Sequence, residues 1–414
     1  MAETVGIGLL GVGWMGQLHS VSYRRVHDHY PDCGASPRLV IAADATEERA
    51  RLATERLGYE SWTTDWRKVL SHPDVDAVSI TAPNFLHCEM TLAAAAAGKH
   101  IWVEKPVGRF PEETLRAVQG ATDAGVRSIV GLNYRHAPAV QYARELVESG
   151  QLGELNHYRS QFVASYASDP KGGLSWRFSR DLAGYGILYD LMSHEVDMAQ
   201  FLLGPIRRVS ARWATLIQER PRLEMGTGTH FSVATGEPGP VENEDRVTAL
   251  IEFDSGVLGT MESSRAAVGP DARYQFEANG TDGAVMWTFE RMNELQVCLP
   301  LSNGDRGYAA VQMTPRHPEF AHFQPGPGIP MGYSDLKVTE AYLFLQSVSD
   351  GMQRAPGLAE MGAAARVLDA VARSCTSEAW ENVGSAPRPT STPTSEPTPE
   401  PTPTTTRASS NGDR

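Results

Sequence analysis

Residues 5–16 read VGIGLLGVGWMG, an apolar run that passes at once into glycines at positions 11, 13 and 16. The run predicts a buried strand, and the G-x-G-x-x-G spacing predicts a tight turn into a helix that begins near Trp14. Gly11 permits the turn, Gly13 leaves the backbone open to a pyrophosphate, and Gly16 lets the helix pack close on the strand. The first helical residues, Trp14 and Met15 with Gly16, then present their amides to the phosphates. A second apolar run, residues 38–44 (RLVIAAD), ends in Asp44, where ribose hydroxyls are expected. Asp44 comes 28 residues after Gly16, against about 20 in the usual pattern. The turn-rich stretch 27–37 (HDHYPDCGASP) accounts for the excess as a bulge between helix and strand. Ala45 and Thr46 follow Asp44, with no arginine to receive a 2′-phosphate, so NAD is expected over NADP.

The alternation continues. Helical patterns at 47–57, 66–71, 87–97 and 111–124 are interleaved with strand patterns at 59–63, 77–82, 100–104 and 128–133. Strands and helices in this order predict a doubly wound, mostly parallel sheet, a Rossmann domain over residues 1–136. Ligands of such sheets sit at the carboxyl ends of the strands. Thr81, Asn84, Glu104, Lys105, Asn133 and Arg135 all fall at or just after those ends. Lys105 stands in Glu104-Lys105-Pro106, where the proline stops the strand. An ammonium there can stabilise the alkoxide that precedes hydride loss, or it can simply be a solvated lysine paired with Glu104.

A second chemical cluster lies at 184–204, GYGILYDLMSHEVDMAQFLLG, where Asp190, His194 and Asp197 share one face of a predicted helix. A carboxylate one turn from an imidazole suits acid/base work, and a capping aspartate beside a surface histidine is the plainer alternative. No second histidine stands at ligand spacing, so no metal is expected. Residues 137–359 form a second domain, with strands at 155–165, 207–216, 246–253, 257–264, 273–278, 284–288 and 295–299 joined by hairpin signals such as Asp254-Ser255-Gly256. Helices at 336–350 and 358–380 close the chain, the latter returning to the first domain. The fold class is thus α/β followed by α+β, the second part built on a large, open, mostly antiparallel sheet.

Together these motifs resemble the Gfo/Idh/MocA oxidoreductases. The resemblance runs over nearly all of residues 4–384, through GVGWMG, APNFLH (82–87), Glu-Lys-Pro, GLNYRHAP (131–138), LGEL (152–155), SWRF (175–178) and the Asp190/His194 helix. It implies catalytic positions at Lys105, Asp190 and His194. It also implies cofactor contacts at Thr81, Asn84, His87, Glu104, Lys105 and Asn133, with Trp176 and Arg177 reaching toward the cofactor. Met192 departs from a frequent glycine and brings a side chain close to the site. SDPKGGLSWRF (168–178), ERMNEL (290–295) and the long stretch 317–344 are most similar to the members that oxidise anhydrosugars and glycosides. They imply oxidation of a secondary ring hydroxyl, at C3, of a pyranose or pyranoside. Tyr134, Tyr185, Trp176 and Tyr333 are candidates for a wall on which a sugar ring stacks, although packing is the commoner fate of any aromatic.

Composition agrees. A chain of 414 residues with 41% hydrophobic content can bury a core in each of two domains. The net charge of −13, with no basic patch, argues against nucleic acid and for a small polar substrate. Cys33, Cys88, Cys298 and Cys375 form no CxxC pair, so neither zinc nor a disulfide framework is indicated. No signal peptide or membrane span is read, which makes the cytoplasm the expected compartment. A homo-oligomer, dimer or tetramer, is expected through the open sheet. Residues 385–414, rich in Pro, Thr and Ser, are expected to be a disordered tail.

Two classes of function fit a Rossmann fold of this kind: an NAD-dependent dehydrogenase of a sugar or a cyclitol such as inositol, or a non-catalytic NAD-binding regulator. Lys105 together with His194 favours the enzyme, and either of them is a possible base, with Asp190 orienting the imidazole or a neighbouring hydroxyl. The acid at position 44 yields the first prediction. Catalytic efficiency with NAD exceeds that with NADP, and replacing Asp44 by Ser with Ala45 by Arg narrows the gap; equal use of both cofactors by the natural chain contradicts it.

Overall fold

The computed structural model describes residues 3–223, 232–300 and 304–384. The expected tail, 385–414, lies outside the described residues. The strands β1 (Glu3–Leu10), β2 (Ala35–Ala43), β3 (Ser61–Thr63), β4 (Ala77–Ile80), β5 (His100–Val103) and β6 (Ser128–Val130) pair in parallel in the order β3-β2-β1-β4-β5-β6. Between them run α1 (Trp14–His29), α2 (Glu47–Leu52), α3 (Trp66–Leu70), α4 (Asn84–Ala96) and α5 (Pro111–Asp123). The order reverses between β1 and β4, which opens a crevice at the carboxyl ends of these strands. Ile7, Leu9 and Leu10 are wholly buried, as a central strand covered on both faces requires.

The expected bulge at 27–37 is shorter than the sequence suggests. Helix α1 runs on to His29, leaving only residues 30–34 as connection. Distant aromatic contacts hold the extra turn: His29 stacks on Phe323 with ring centroids 4.3 Å apart, and Tyr30 stacks on Tyr342 at 3.9 Å.

After α6 (Pro138–Glu148) the chain enters a nine-stranded sheet. Its strands are β7 (Leu155–Ala164), β8 (Ile206–Ala214), β11 (Arg246–Phe253), β12 (Leu258–Ser264), β13 (Ala272–Gly280), β14 (Ala284–Thr288), β15 (Glu294–Cys298), β16 (Ala309–Gln312) and β17 (Glu381–Asn382), while β9 (Glu219–Pro221) and β10 (Pro238–Pro240) pair apart from it. The order is β16-β15-β14-β13-β7-β12-β11-β8-β17, antiparallel throughout except for β7 with β12. Burial alternates along β11 and β12, so Val247, Ala249 and Ile251 face the core while Leu250 and Leu258 face outward. Strands β16 and β17 escape the sequence reading because one is almost wholly exposed and the other has two residues.

The remaining helices are α7 (Arg180–Ala183), α8 (Ile187–Asp190), α9 (Met192–Leu203), α10 (Pro318–Phe323), α11 (Tyr333–Asp350) and α12 (Leu358–Ser377). The stretch 184–204 is therefore not one helix: α8 stops at Asp190 and α9 starts at Met192. Asp190, His194 and Asp197 do not share a single line along one helix. Asp197 turns to the buried guanidinium of Arg135, whose Nε donates to it at 3.0 Å. A second correction concerns α11. Its Val338, Ala341, Phe344 and Leu345 join a core with Val5, Ile7 and Leu9 of β1, so this helix packs on the first sheet. Helix α12 packs on α5 and also on β8 and α9.

Helix α11 carries a wholly buried lysine into that packing. Lys337 Nζ lies 2.5 Å from Glu104 at the end of β5 and 2.8 Å from Glu340 one turn along its own helix. Glu104 also meets His19 Nε2 of α1 at 3.0 Å, and the His19 ring stacks on Trp102 at 3.5 Å. Burial pushes the Glu104 carboxyl up, but the Lys337 ammonium and the His19 contact outweigh it and hold the acid ionised. Burial, joined by the Glu104 charge and partly offset by Lys337, pushes the Glu340 carboxyl up, toward its neutral form. Removing one partner of a buried ion pair strands the other in a dry interior, at a cost of about 3–5 kcal/mol. Lys337→Met should lower unfolding stability in denaturant titrations by that amount, whereas Glu340→Gln, which mimics the neutral acid, should cost far less. Equal effects of the two would contradict this account of the cluster.

Candidate active site

The candidate site lies at the carboxyl ends of β1, β4 and β5, where the strand order reverses. The glycine turn fits a dinucleotide on three counts. Gly11 adopts φ +102°, a left-handed conformation, and a Cβ there would meet the Ala82 backbone at 2.8 Å. A Cβ on Gly16 would strike the Gly11 carbonyl at 2.1 Å, so only glycine allows this helix-to-strand approach. At Gly13, which caps α1, a Cβ would meet nothing within 4 Å, leaving room for a pyrophosphate against the amides of Trp14 and Met15. Thr81 locks the turn by donating its hydroxyl to the Gly11 carbonyl at 2.7 Å. Asp44 follows β2 beside it and accepts the Val12 amide at 2.8 Å, which fixes the carboxylate against the glycine turn. These residues fit NAD.

Lys105 follows β5 and points across the cleft to the break between α8 and α9. Its Nζ donates to the Asp190 backbone carbonyl at 2.7 Å and to Asp190 Oδ1 at 2.9 Å. The expected pairing with Glu104 does not form, because Glu104 is committed to Lys337 and His19 on the other side. The second Asp190 oxygen accepts the Tyr166 hydroxyl at 2.6 Å. Burial raises the Asp190 carboxyl, yet Lys105, Arg177 and the Tyr166 bond together hold it well below its ordinary range. Asp190 therefore orients the Lys105 ammonium and a neighbouring hydroxyl, and not the imidazole of His194.

His194 sits in the first turn of α9, buried against aromatic rings. Tyr134 lies edge-on to it with centroids 4.8 Å apart, and Phe162 is 6.0 Å away. Among the described residues neither ring nitrogen has a hydrogen-bond partner. Burial first, and the Lys105 ammonium second, push its pKa well below 6.5, so the ring is neutral at physiological pH. The cleft thus opposes a fixed ammonium to a neutral imidazole. One can hold negative charge on a substrate oxygen, and the other can accept a proton from it.

The other expected positions divide. Tyr134 and Tyr333 come together with centroids 6.0 Å apart, and Trp14 lies nearly parallel to Tyr333 at 6.0 Å. Asn133 is buried in the 3-10 turn Asn133–His136, beyond the end of β6, and both polar atoms of its carboxamide lack partners of ordinary geometry. Trp176 packs edge-on against Phe85 at 6.0 Å, next to Asn84, and the Arg177 guanidinium lies over its ring. Asn84 and His87 are held by backbone groups: Asn84 donates to the Ala183 carbonyl at 3.1 Å, while the His87 ring nitrogens lie 2.8 Å and 2.6 Å from the carbonyls of Pro106 and Ala82. His87 thereby fixes the turn that carries Lys105. Tyr185 is not brought to the cleft: its ring packs on Phe110, Tyr189 and Trp213.

Sequence reasoning missed Tyr166, Lys337, His19 and Asn243. Asn243 donates to the Arg177 carbonyl at 2.9 Å and receives Arg265 at 2.8 Å, so it anchors the strap that carries Trp176. Each of the four lies far in sequence from its partner. The one local signal is Lys337 with Glu340, a charged pair at helical spacing inside an apolar helix. Among the described residues no group of His, Cys, Asp or Glu is placed to hold a metal, and no helix is long and apolar enough to cross a membrane.

Comparison with known proteins gives the family. Residues 5–132 match the GFO/IDH/MocA oxidoreductase family with its NAD-binding Rossmann fold, and residues 140–286 match a GFO/IDH/MocA C-terminal domain. The chain is 36% identical over 384 residues to levoglucosan dehydrogenase of Pseudarthrobacter phenanthrenivorans, which covers 92% of this chain and 98% of that protein. It is 32% identical over 287 residues to scyllo-inositol 2-dehydrogenase (NAD(+)) of Bacillus subtilis, covering 69% of this chain and 74% of that one. Among solved structures, levoglucosan dehydrogenase in complex with NADH and levoglucosan superposes with a TM-score of 0.87 at 34% identity, over 92% of this chain and 100% of the other. The chain belongs to the Gfo/Idh/MocA family of NAD-dependent oxidoreductases.

Proposed function

We propose that this oxidoreductase removes hydride from a secondary ring hydroxyl carbon, C3, of a pyranose, an anhydrosugar or a pyranoside. The observation that carries the reading is the Lys105 ammonium, pinned by both oxygen types of Asp190, facing a neutral His194 in a cleft walled by aromatic rings. NAD, when bound at the glycine turn, supplies the hydride acceptor. The substrate hydroxyl hydrogen-bonds to the free imidazole, which takes the proton as the C–H bond breaks. Lys105 donates a hydrogen bond to the oxygen on which charge develops. Tyr166 and Asp190 keep that ammonium aimed, and the site is assembled before substrate arrives. Tyr134 and Tyr333 offer ring faces to the C–H face of a cyclic polyol, whereas an open-chain 2-hydroxy acid brings a carboxylate with no arginine pair to receive it. The relatives named for levoglucosan and scyllo-inositol support a ring polyol.

We also place a second copy of the chain on the outward face of the large sheet, where Leu250 and Leu258 are exposed. Light scattering should give a dimer or tetramer, and a monomer at assay concentration contradicts that arrangement.

Absorbance of reduced nicotinamide, followed across pyranoses, anhydrosugars, glycosides and inositols, tests the reading, with turnover expected for ring polyols and not for lactate or malate. Lys105→Ala and His194→Ala should each lose about a hundredfold or more in rate while remaining folded. Near-normal turnover by both variants, or activity confined to open-chain acids, would overturn the assignment.

A further inference from the structure

Trp14 is the first residue of α1, and its indole is 71% exposed. Exposed tryptophan on a cleft rim is unusual, because the side chain gains more than almost any other from being covered. Its backbone belongs to the glycine turn, and its ring lies beside Tyr333 at the start of α11. The two rings lie within 15° of parallel, with centroids 6.0 Å apart. Tyr333 in turn stands 6.0 Å from Tyr134 and 6.2 Å from Phe289, and Tyr134 stands 4.8 Å from His194. These rings form one continuous aromatic wall from the buried imidazole to solvent. The wall extends three ring-to-ring steps, more than a single pyranose covers, and its outermost ring is the one left bare.

We propose that Trp14, backed by Tyr333, is an outer subsite that stacks the second ring of a two-ring substrate, the aglycone or second sugar of a glycoside, while the first ring is oxidised between Lys105 and His194. This inference rests on the ring-polyol reading above. It makes Trp14 a specificity residue that selects glycosides over single rings, and it separates the work of the indole from that of its backbone amide.

The test compares kcat/KM for methyl β-glucoside with that for phenyl β-glucoside and cellobiose, in the full-length enzyme and in Trp14→Ala and Trp14→Phe, alongside the Kd for NAD. The natural enzyme should favour the two-ring substrates through KM. In Trp14→Ala the two-ring to one-ring ratio should fall about tenfold, the scale of one aromatic stacking contact, and Trp14→Phe should restore much of it. An unchanged ratio in Trp14→Ala overturns the outer subsite, and a raised Kd for NAD with that unchanged ratio returns the indole to the cofactor. Turnover of no sugar by the natural enzyme contradicts the ring-polyol reading itself, a result distinguishable from failure of the subsite alone.

Discussion

The site depends on one contact across the cleft, the Lys105 ammonium held by the Asp190 carbonyl and carboxylate. Lys105 issues from the first sheet and Asp190 from the helix break that rests on the second, so this pair joins the two chemical halves. A charge-assisted hydrogen bond of this kind is roughly twice as strong as a neutral one. The pair has a consequence for its neighbours. Burial, and after it the Lys105 ammonium, outweigh the pull of Asp190 and Glu104 on an imidazolium at His194, and the ring stays neutral.

Behind Lys105 lies a second constraint. Glu104, its chain neighbour, is turned away from the cleft and bound by Lys337 and His19, with its carboxylate pressed against Gly131, where a Cβ would meet it at 2.4 Å. Two adjacent residues just beyond the strand thus serve different partners, Glu104 meeting Lys337 and His19, and Lys105 meeting Asp190. One anchors α1 and α11 to the sheet, and the other faces substrate. The anchor is dry, so disturbing it costs stability, while the clamp is open to the cleft, so disturbing it costs rate.

What the sequence made legible has local causes. The glycine turn could be read because its three positions each answer a steric demand visible in the spacing, and Gly11, Gly13 and Gly16 meet those demands as expected. Lys105 could be read because Pro106 marks the strand end, and β11 and β14 because their apolar pattern and turns bound them. The rest was hidden by sequence distance. Lys337 and Glu104 are 233 residues apart, and the charged pair Lys337/Glu340 at helical spacing does not name a partner on the first sheet. The break at Leu191 was invisible because the apolar pattern runs through it unbroken, which is why Asp197 was grouped with Asp190 and not with Arg135. Tyr185 shares the composition of a sugar-facing residue and differs only in where α7 and α8 turn it.

The most direct measurement follows the transferred hydrogen itself. A pyranoside deuterated at C3 is oxidised with unlabelled NAD, and the reduced nicotinamide is weighed by mass spectrometry. The account predicts that deuterium from C3 appears in the reduced cofactor, with a slowed rate as that bond breaks. Reduced cofactor free of deuterium, formed from the same labelled sugar, would contradict it.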